Sequence, residues 1–310
     1  MLAVLKDWHI DQMDVKSAFL NGVLDKETYI EQPQGFIVAG MENKVCKLEK
    51  SIYGLKQASH TWNLQFHGFL LELGFKWTSS DAGVYVMHQS YREDSLSPLI
   101  IILYVDDITI MGTSLEVVKW LKDDLQKHYE MSDLGEIESY LGIHITHNRS
   151  HKHIKIDQSD YIKDVLDCFG MMDMNPHNTP LLAGADMHLV KNTEQASPAE
   201  IKHYQSLIGS LLYVQIGTCP DISFAVSHLA QYIANPYKNH LHLAQYILSY
   251  LVGTVDMCLC YNGANGNALH GHSDSSIGDN TEDCHLISGY VFLLANGMIS
   301  WSSCKQKTIA

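Results

Sequence analysis

Two adjacent aspartates lie inside an apolar stretch of the chain, LIIILYVDDITIMG at residues 99–112. The runs at 99–104 and 108–111 are rich in β-branched and apolar residues, which predicts two buried strands joined by a turn from Val105 to Asp107. Carboxylates are costly in apolar surroundings unless a cation or a hydrogen-bond partner compensates them. The pair therefore indicates a divalent metal site at the tip of a hairpin, the alternative being a solvated Asx turn.

A third carboxylate, Asp14, follows another short β-capable stretch in QMDVKSAFLNG. Three carboxylates on neighbouring strands can clamp two Mg²⁺ ions about 3.5–4 Å apart, which is an arrangement used for phosphoryl transfer. Asp14, Asp106 and Asp107 are thus the candidate metal ligands. Two Mg²⁺ ions, or Mn²⁺ in their place, are the expected cofactor.

Several motifs follow one another in a fixed order along nearly the whole chain. They are QMDVKSAFLNG (12–22), SIYGLKQASHTW (51–62), YVDD (104–107), DLGEIESYLGIHI (133–145), YQSLIGSLLYVQIGTCPDISFAVSHLAQYIANP (204–236) and SGYVFLLANGMISWSSCKQ (288–306). In this order the motifs resemble those of the copia-type retrotransposon reverse transcriptases. The resemblance implies RNA-directed DNA synthesis on an RNA or DNA template-primer, with deoxynucleoside triphosphates as substrates.

The resemblance also implies a fold and a domain order. The expected fold class is α+β, with a reverse-transcriptase palm and thumb, a helical connection, and then an incomplete ribonuclease H-like α/β domain. The implied domains are a palm without its fingers at residues 1–150, the thumb and helical connection at 151–265, and the truncated N-terminal part of a ribonuclease H-like domain at 266–310.

Individual residues receive roles through the same resemblance. Asp14 and Asp106 are implied to bridge the two metals, with Asp107 as the third acid of the set. Phe19 matches the aromatic residue that excludes a 2′ hydroxyl from the nucleotide site by its bulk. As an isolated residue, Phe19 would instead belong to the hydrophobic core.

Three further residues are expected to contact the nucleotide or the primer. Gln57, with Lys56 beside it, matches the motif that contacts the incoming nucleotide, although without the motif both would simply lie on a solvated helix face. Because side chains alternate along a strand, Tyr104 is expected to point to the same face as Asp106. It would pack there against the primer, with a core tyrosine as the alternative.

A ribonuclease H site is implied only in part. Asp274, at the end of ALHGHSD, matches the first metal-binding carboxylate of that fold. The family pattern continues with a glutamate-containing helix and two later aspartates, whereas this sequence stops at Ala310. A lone carboxylate holds Mg²⁺ weakly, because the ion depends on several ligands. No ribonuclease activity is expected.

Substrate contacts are expected to be incomplete as well. Only eleven residues precede Gln12, so the fingers region, which supplies cations for the triphosphate in the family, is expected to be missing. Lys56 and Lys16 would then meet the triphosphate charge. Ser132 stands where relatives commonly carry a lysine that is a candidate acid for the leaving group.

The charge of the chain argues against strong nucleic-acid binding. Asp and Glu number 35 against 21 Lys and Arg, which gives a net charge of −14, whereas such proteins gain most of their affinity from cations on phosphates. Arg92 and Arg149 are the only arginines, against 18 histidines. Positions where relatives carry arginine hold His60, Cys219 and Gln245, which suggests a silenced copy that has lost CG-containing codons. A lineage with its own composition is the alternative.

Composition indicates the class of protein. A chain of 310 residues with 46% hydrophobic content is long enough for two domains with cores of their own. It has no run of about 18 apolar residues and no signal-peptide pattern, so neither a membrane span nor secretion is expected. Seven cysteines without regular spacing are typical of reduced thiols. The expected location is intracellular, in a cytoplasmic particle or the nucleus.

Hydrophobic periodicity and capping residues predict the secondary structure. The predicted elements are a helix at 54–73 stopped by Gly74, a helix at 114–129 begun by Ser114, a β segment at 140–146, a helix at 158–171, a connector at 173–197, a helix begun by Ser197 with Pro198 and Glu200, helices at 220–234 and 239–252, and strands from residue 256 with a hairpin turning at Asn296 and Gly297.

Two other groups of residues resemble metal sites only superficially. One is formed by Cys258, Cys260, His270, His272, Cys284, His285 and Cys304. It lacks the paired short spacings of a structural zinc site, so buried thiols and scattered histidines are favoured. The other is formed by His144, His147, His151 and His153, around a polar turn that favours a solvated loop.

The sequence therefore predicts a degraded copia-type Pol fragment with little polymerase activity. The competing hypothesis is a non-enzymatic retroelement remnant that at most binds Pol subunits, capsid or nucleic acid.

Overall fold

The structure is a computed structural model that describes residues 1–90, 96–182, 184, 189–264, 268–276 and 287–306. It combines helices with several sheets and divides into two compact units. The first unit comprises Lys6–Ile137, and the second comprises Met1–Leu5 together with Glu138–Ala310. Among the helices in the described ranges, none combines the length and apolar character that a bilayer crossing requires.

The elements of the described residues are as follows in chain order. They are α1 (Leu2–Lys6), β1 (His9–Val15), β2 (Tyr29–Glu31), β3 (Val45–Lys47), α2 (Ala58–Glu72), β4 (Lys76–Trp77), β5 (Val84–Ser90), β6 (Leu96–Tyr104), β7 (Asp107–Gly112), α3 (Leu115–His128), β8 (Met131–Glu136), β9 (Ser139–Tyr140), β10 (Ile143–Asn148), β11 (His153–Asp157), α4 (Ser159–Cys168), α5 (Pro198–Gly217), α6 (Ser223–Ala230), α7 (Lys238–Thr254), β12 (Leu259–Asn262), β13 (His270–Ser276), β14 (Ile287–Leu294) and β15 (Gly297–Lys305). Short 3₁₀ turns occur at Ala18–Asn21 and Pro220–Ile222.

A six-stranded antiparallel sheet forms the centre of the first unit. Its strand order is β4-β5-β6-β7-β1-β8, so β1 lies between β7 and β8. A separate two-stranded sheet pairs β2 with β3. Two strands that are far apart in sequence, β1 and β7, are therefore neighbours at the centre of the larger sheet.

One face of this sheet is apolar and is covered by α2 and α3. Alternate residues of the strands supply the sheet side of the core, and two helical stripes supply the other side. The core includes Met13, Val15, Tyr85, Leu99, Ile101, Ile108 and Ile110 from the strands, and Trp62, Phe66, Leu70, Val118, Leu121 and Leu125 from the helices. Each such side chain contributes roughly 1.5–3 kcal/mol when it is fully buried. The helices thus cover the face to which Met13 and Ile108 point.

Helix α3 also buries a lysine against that face. Lys122 is 7% exposed, and its ammonium group contacts the carboxylates of Asp11 in β1 and Asp133 in β8, with a distance of 2.7 Å to Asp133 Oδ1. Burial by itself lowers the pKa of Lys122, but the hydrogen bonds and charges of the two aspartates outweigh burial and raise that pKa. Asp11 is therefore a structural carboxylate, on the sheet face opposite to that of Asp14.

The two helices of the first unit begin for different local reasons. Helix α3 was predicted correctly, because Ser114 accepts a hydrogen bond from the backbone N–H of Glu116 at its N-terminus. The predicted start of α2 at residue 54 is wrong, since the helix begins at Ala58. Gly54 has φ +94°, which no right-handed helix contains. Gly74, with φ +96°, follows the end of α2 as predicted.

The second unit contains a helical core and two small sheets. Helices α4 to α7 share a buried cluster, the strands β12-β11-β10-β9 form one sheet, and β13-β14-β15 form the other. The capping box at the start of α5 is confirmed: Glu200 N–H donates to Ser197 Oγ, and Ser197 N–H donates to the Glu200 carboxylate at 2.8 Å. The predicted boundaries at residues 150 and 265 stay predictions.

The last hairpin turns one residue earlier than predicted. Ala295 and Asn296 form the turn with φ of 53° and 61°, and Gly297 already pairs with Leu294 at the start of β15. A Cβ atom on Gly297 would lie 2.4 Å from the ring of Tyr261. The glycine is therefore required by close packing, while Asn296 and Ala295 supply the left-handed conformations of a tight hairpin.

Candidate active site

The candidate carboxylates lie at the centre of the large sheet. Asp14 near the end of β1 and Asp107 at the start of β7 are directly opposite each other across the antiparallel pair. The neighbouring residues Met13 and Ile108 point into the core. Because side chains alternate along a strand, Asp14 and Asp107 lie together on the face that α2 and α3 leave open.

Asp106 belongs to the turn that joins β6 to β7. The sequence predicted a turn from Val105 to Asp107, but the turn consists of Val105 and Asp106, since Asp107 already pairs with Tyr104. Val105 has φ 57°, which is unfavourable for a β-branched residue. Its carbonyl accepts a hydrogen bond of 2.6 Å from Trp62 Nε1, and the carbonyl of Asp106 accepts one of 3.0 Å from Val15 N–H. These bonds hold a strained turn, and with it Asp106, beside β1.

The three carboxylates interact electrostatically. Burial raises the pKa of Asp107, and the charges of Asp106 and Asp14 raise it further, while a hydrogen bond from the side chain of Gln12 lowers it. Like charges that disfavour each other's ionisation must lie close together. Carboxylate oxygens are hard ligands of the kind that Mg²⁺ prefers, so the chemistry of the three side chains fits the predicted cofactor.

The carboxylates do not form a ready-made ligand set in their present rotamers. In the part of the chain that the structure describes, no three His, Cys, Asp or Glu side chains converge closely enough to hold a metal ion. Backbone register places Asp14 and Asp107 opposite each other on two inner strands, with Asp106 in the adjoining turn. Their role as ligands of two ions stays a prediction.

The predicted orientation of Tyr104 relative to Asp106 stays a prediction. It was argued from strand alternation, but the strand ends at Tyr104, and Asp106 lies in the turn. The cross-strand partner of Tyr104 is Asp107, so these two side chains share the open face. Tyr104 is 55% exposed, which excludes the core alternative.

Phe19 lies in the 3₁₀ turn that follows β1. It is partly buried against the core, and its ring contacts the ring of Tyr53 with centroids 4.5 Å apart. Gln57 immediately precedes α2, and its amide donates to Thr28 Oγ1 at 3.4 Å, while Lys56 is exposed. Lys16 is exposed and forms an ion pair with Glu130 at 3.1 Å. The nucleotide-binding roles of Phe19, Lys56, Gln57 and Tyr104 stay predictions.

Two residues at the site were missed by the sequence reasoning. Gln12 is 8% exposed and binds Asp107 through its side chain. Period-two alternation back from Asp14 would have placed Gln12 on the same face. The other is Tyr53: burial raises the pKa of its phenol, and the charges of Asp106 and Asp14 raise it further. Its only signal in the sequence is its place in SIYGLKQ, four residues before Gln57.

Ser132 is placed beside the carboxylates. It is the cross-strand partner of Asp14 in the pairing of β1 with β8, and it is partly buried. Asp107, Asp14 and Ser132 therefore form a row across three neighbouring strands. A longer side chain at position 132 would start next to the carboxylates.

Asp274 lies in the second unit. It is exposed, stands opposite Gly289 in the pairing of β13 with β14, and accepts a hydrogen bond of 2.8 Å from Ser275 N–H. It lines an open cavity of about 470 Å³, together with Asp221, Phe224 and Tyr290. Within the described residues no metal-binding group of three includes Asp274.

The two superficial metal groups remain without support. Cys284 and His285 lie outside the described residues, and no zinc-type cluster forms among the residues that are described. Cys258 and Cys260 have their sulfur atoms 3.4 Å apart and are not buried, so the expectation of buried thiols is wrong for this pair. His144 is 53% exposed and lies 3.5 Å from Asp157, and His151 is exposed in the turn.

Residues 1–183 match the protein family described as "Reverse transcriptase (RNA-dependent DNA polymerase)". The chain is 38% identical to the retrovirus-related Pol polyprotein from transposon TNT 1-94 of Nicotiana tabacum, an alignment that covers 100% of this chain and 23% of the relative. It is 35% identical to the Pol polyprotein from transposon RE1 of Arabidopsis thaliana, over 99% of this chain and 20% of the relative. The chain thus spans about a fifth of the length of these polyproteins.

A putative transposon Ty5-1 protein of Saccharomyces cerevisiae is similar in length. It is 34% identical, and the alignment covers 96% of this chain and 94% of that protein. The family match covers more than half of the chain, and this relative is matched over nearly its full length. The chain therefore belongs to the reverse transcriptase family of copia-type retrotransposon Pol polyproteins.

Proposed function

We propose that the first unit is the catalytic palm of an RNA-directed DNA polymerase that joins nucleotides by a two-metal mechanism. The observation that carries this proposal is the pairing of Asp14 with Asp107 beside the Asp106 turn, on the face of the sheet opposite to α2 and α3. Tyr104, which pairs with Asp107, is 55% exposed at this end of the strands, and the strained turn fixes where Asp106 stands. Nucleic acid is the partner class that this family acts on.

Asp14, Asp106 and Asp107 would hold the metal ions. When bound, Mg²⁺ lowers the pKa of the primer 3′ hydroxyl and neutralises the charge of the triphosphate. The raised pKa of Asp107, caused by burial and by the charges of Asp106 and Asp14, fits a site that gains stability from a divalent cation. Gln12, whose side chain lowers the pKa of Asp107 through a hydrogen bond, would help to orient that carboxylate. Positioning of this kind supplies much of the catalysis in phosphoryl transfer.

Four residues would position the nucleotide. Phe19 would exclude the 2′ hydroxyl, and Gln57 and Lys56 would contact the nucleotide from the N-terminus of α2. Tyr104, exposed opposite Asp107, would contact the end of the primer. All four belong to the first unit, as the carboxylates do.

The test is extension of a primer on an RNA template by the purified chain with Mg²⁺ or Mn²⁺. Asp106→Asn keeps the shape of the side chain and removes its charge, so it should abolish extension. Asp123→Asn is the matched control, because Asp123 is exposed on α3, whose buried side packs on the opposite face of the sheet. Detectable extension by wild type that Asp106→Asn retains in full would contradict the proposal.

The second unit would contain the thumb and helical connection, up to about residue 265, followed by a ribonuclease H-like part with Asp274 as its carboxylate. Ribonuclease activity is not part of this proposal. The proposed location is intracellular, in a cytoplasmic particle or the nucleus.

A second candidate function is favoured by the net charge of −14. A chain with so few cations would bind a polyanion weakly, and it would act as a non-enzymatic remnant that binds Pol subunits, capsid or nucleic acid. Extension that is absent with both metals, in a folded protein, would favour this function over the first.

A further inference from the structure

Ser51 and Tyr53, in the segment that precedes α2, contact the turn that carries Phe19 through hydrogen bonds and a ring contact. We propose that Tyr53, supported by Ser51, is a positioning residue that fixes the ring of Phe19 and thereby sets the preference for deoxyribonucleotides. This inference rests on the proposed polymerase function. It adds to the site two residues outside the set that the sequence pointed to.

Hydrogen bonds join the two segments at the backbone. Ser51 is completely buried; its N–H donates to the carbonyl of Gly22 at 3.0 Å, and its Oγ donates to the carbonyl of Phe19 at 2.5 Å. Burial and the charges of Asp106 and Asp14 raise the pKa of the Tyr53 phenol, and a hydrogen bond with the Ala18 backbone lowers it. The two bonds of Ser51 therefore hold the 3₁₀ turn at its end and at Phe19 itself.

The turn needs such support because its backbone is constrained. Ser17, which precedes it, has φ 53° and makes no capping hydrogen bond with its side chain. At Gly22, where the turn ends, a Cβ atom would lie 2.8 Å from Thr61 Oγ1 and 3.1 Å from Ser51 Oγ. A strained entry and a close-packed exit persist only where the surroundings determine them.

The rings of Phe19 and Tyr53 also contact each other directly. The centroids of Phe19 and Tyr53 lie 4.5 Å apart with 47° between the ring planes, a favourable tilted contact. Phe19 is partly buried against the core, whereas Tyr53 is 54% exposed. Tyr53 thus covers the side of Phe19 that the core does not cover.

Steric exclusion of a 2′ hydroxyl requires that the excluding side chain stays in place. A phenyl ring that is free to rotate would yield to a 2′ hydroxyl, while a ring held between the core and Tyr53 would reject it. The charges of Asp106 and Asp14 raise the pKa of the Tyr53 phenol, so the same side chain lies within electrostatic reach of the proposed metal ligands. The contacts of Tyr53 and Ser51 would thus keep the ring of Phe19 in a fixed position relative to the proposed metal ligands.

The main experiment measures single-nucleotide extension with dGTP and with GTP, and compares their kcat/KM values. Tyr53→Leu removes the ring contact and should lower the preference for dGTP about two- to tenfold, the range expected for an aromatic pair. Tyr53→Phe keeps the ring and should keep the preference. Tyr29→Leu is the control, because Tyr29 is 52% exposed in the same unit and should leave the preference unchanged.

A double-mutant cycle separates positioning from a general loss of structure. In a Phe19→Ala background there is no ring to hold, so Tyr53→Leu should have no further effect on the preference. An equal loss with and without Phe19 would overturn the inference. Ser51→Ala, which removes the bond to the Phe19 carbonyl and changes little volume, should lower the preference in the same direction as Tyr53→Leu.

A binding measurement keeps the inference testable if wild type does not extend a primer, in which case the proposed function itself fails. Titration of dGTP and GTP in the presence of Ca²⁺ reports selectivity without chemistry. A preference for dGTP that Tyr53→Leu abolishes and Tyr53→Phe retains would support the inference. Equal binding of the two nucleotides by wild type, or a preference that Tyr53→Leu leaves intact, would overturn it.

Discussion

At the scale of single residues, the register of the strands determines the geometry of the candidate site more than any one side chain does. Asp14 and Asp107 are far apart in sequence, yet the register of β1 with β7 places them opposite each other. A shift of one residue would move both carboxylates into the apolar core, where their cost forbids them. The core residues Met13 and Ile108 therefore specify the site as firmly as the aspartates do.

We predict that Phe19→Ala raises the use of ribonucleotides relative to deoxyribonucleotides, because the bulk that opposes the 2′ hydroxyl is removed. Apolar pockets reject an added hydroxyl by a factor of roughly 100 at most, which bounds the change. The measurement is the ratio of extension with GTP to extension with dGTP. An active mutant with unchanged selectivity would show that Phe19 serves only the core.

A second prediction concerns Ser132, the cross-strand partner of Asp14. Ser132→Lys should increase the extension rate, because a cation beside the carboxylates reduces their repulsion and can donate a proton to the leaving group. General acids contribute on the order of 10²- to 10⁴-fold to a rate, and a gain of about tenfold would already be informative.

Ser132→Met is the control for Ser132→Lys, since it adds length without charge. A gain that both variants share would mean that volume, and not the cation, is responsible. A pH–rate profile of Ser132→Lys should also show a new group that must be protonated.

The site was only partly predictable from the sequence. Asp14, Asp106 and Asp107 were identified as candidate metal ligands because carboxylates in apolar strands and an ordered set of motifs can be read directly from the sequence. Tyr53 was missed because its importance comes from contacts with Phe19 and Ala18 that no periodicity encodes. Strand alternation could not decide the orientation of Tyr104 relative to Asp106, because alternation ends where the two-residue turn begins.

At the scale of elements, a buried ion triad ties α3 to the sheet. Lys122 contacts Asp11 in β1 and Asp133 in β8, on the face opposite to the site. Removing one partner of such a group leaves an uncompensated charge, which costs more than the intact group contributes. The triad therefore fixes the helix that supports the strand carrying Asp14.

We predict that Lys122→Met destabilises the first unit. The loss should lie toward the lower end of about 3–5 kcal/mol, since Asp133 is 43% exposed and water screens its charge. Urea denaturation measures the change in the free energy of unfolding. Lys119→Met is the control, because Lys119 is exposed on the same helix. Equal midpoints for the two variants would contradict the prediction.

The pH dependence of this effect follows from the two pKa shifts. Burial alone would raise the Asp133 pKa, but bonds from Lys122 and Gly135 lower it below its ordinary value of 3.8. Its stabilising contribution is therefore present above pH 3.8 and is lost as the pH falls through the folded pKa. The pKa of Lys122 is raised above its ordinary value of 10.5. Its stabilising contribution is therefore present below pH 10.5 and is lost as the pH rises through the folded pKa. The difference between Lys122→Met and wild type should stay constant near neutral pH and shrink in acid.

Element boundaries were predictable where a local signal decides them. Ser114 starts α3 and Ser197 with Glu200 starts α5 through hydrogen bonds between near neighbours in sequence. The start of α2 was predicted four residues too early, because periodicity continues through Gly54 although its φ does not permit a helix. The turn at Ala295 was missed because Gly297 is needed for packing on Tyr261, a distant contact.

At the scale of the whole molecule, the retained aspartates favour a polymerase, whereas the net charge favours weak binding of nucleic acid. The first unit contains the three carboxylates proposed as metal ligands, while the chain carries a net charge of −14. Proteins that neutralise many phosphates lose affinity steeply with salt, with a slope of about −0.9 per phosphate contact. A chain with 21 Lys and Arg against 35 Asp and Glu is expected to show a shallow slope and weak binding.

The last prediction is that the isolated chain extends a primer very poorly, even with an intact set of aspartates. Phosphoryl transfer depends on positioning and on charge stabilisation, and the metal ligands supply only part of both. Loss of positioning alone can cost about 100-fold, and loss of one transition-state donor can cost about 100- to 1,000-fold more. Repulsion between a chain of charge −14 and a polyanionic template is strongest at low salt. Raising the salt concentration moderately should therefore not reduce extension.

The decisive measurement is extension on an RNA template across a range of salt concentrations, with Asp106→Asn as the blank. Robust extension that disappears in Asp106→Asn would show that the carboxylates suffice and that the prediction of poor activity is wrong. Extension that rises when basic residues are added to the chain would show that charge, and not the metal site, limits the activity. The steep loss with salt that is typical of nucleic-acid enzymes would show that local clusters of lysine outweigh the net charge.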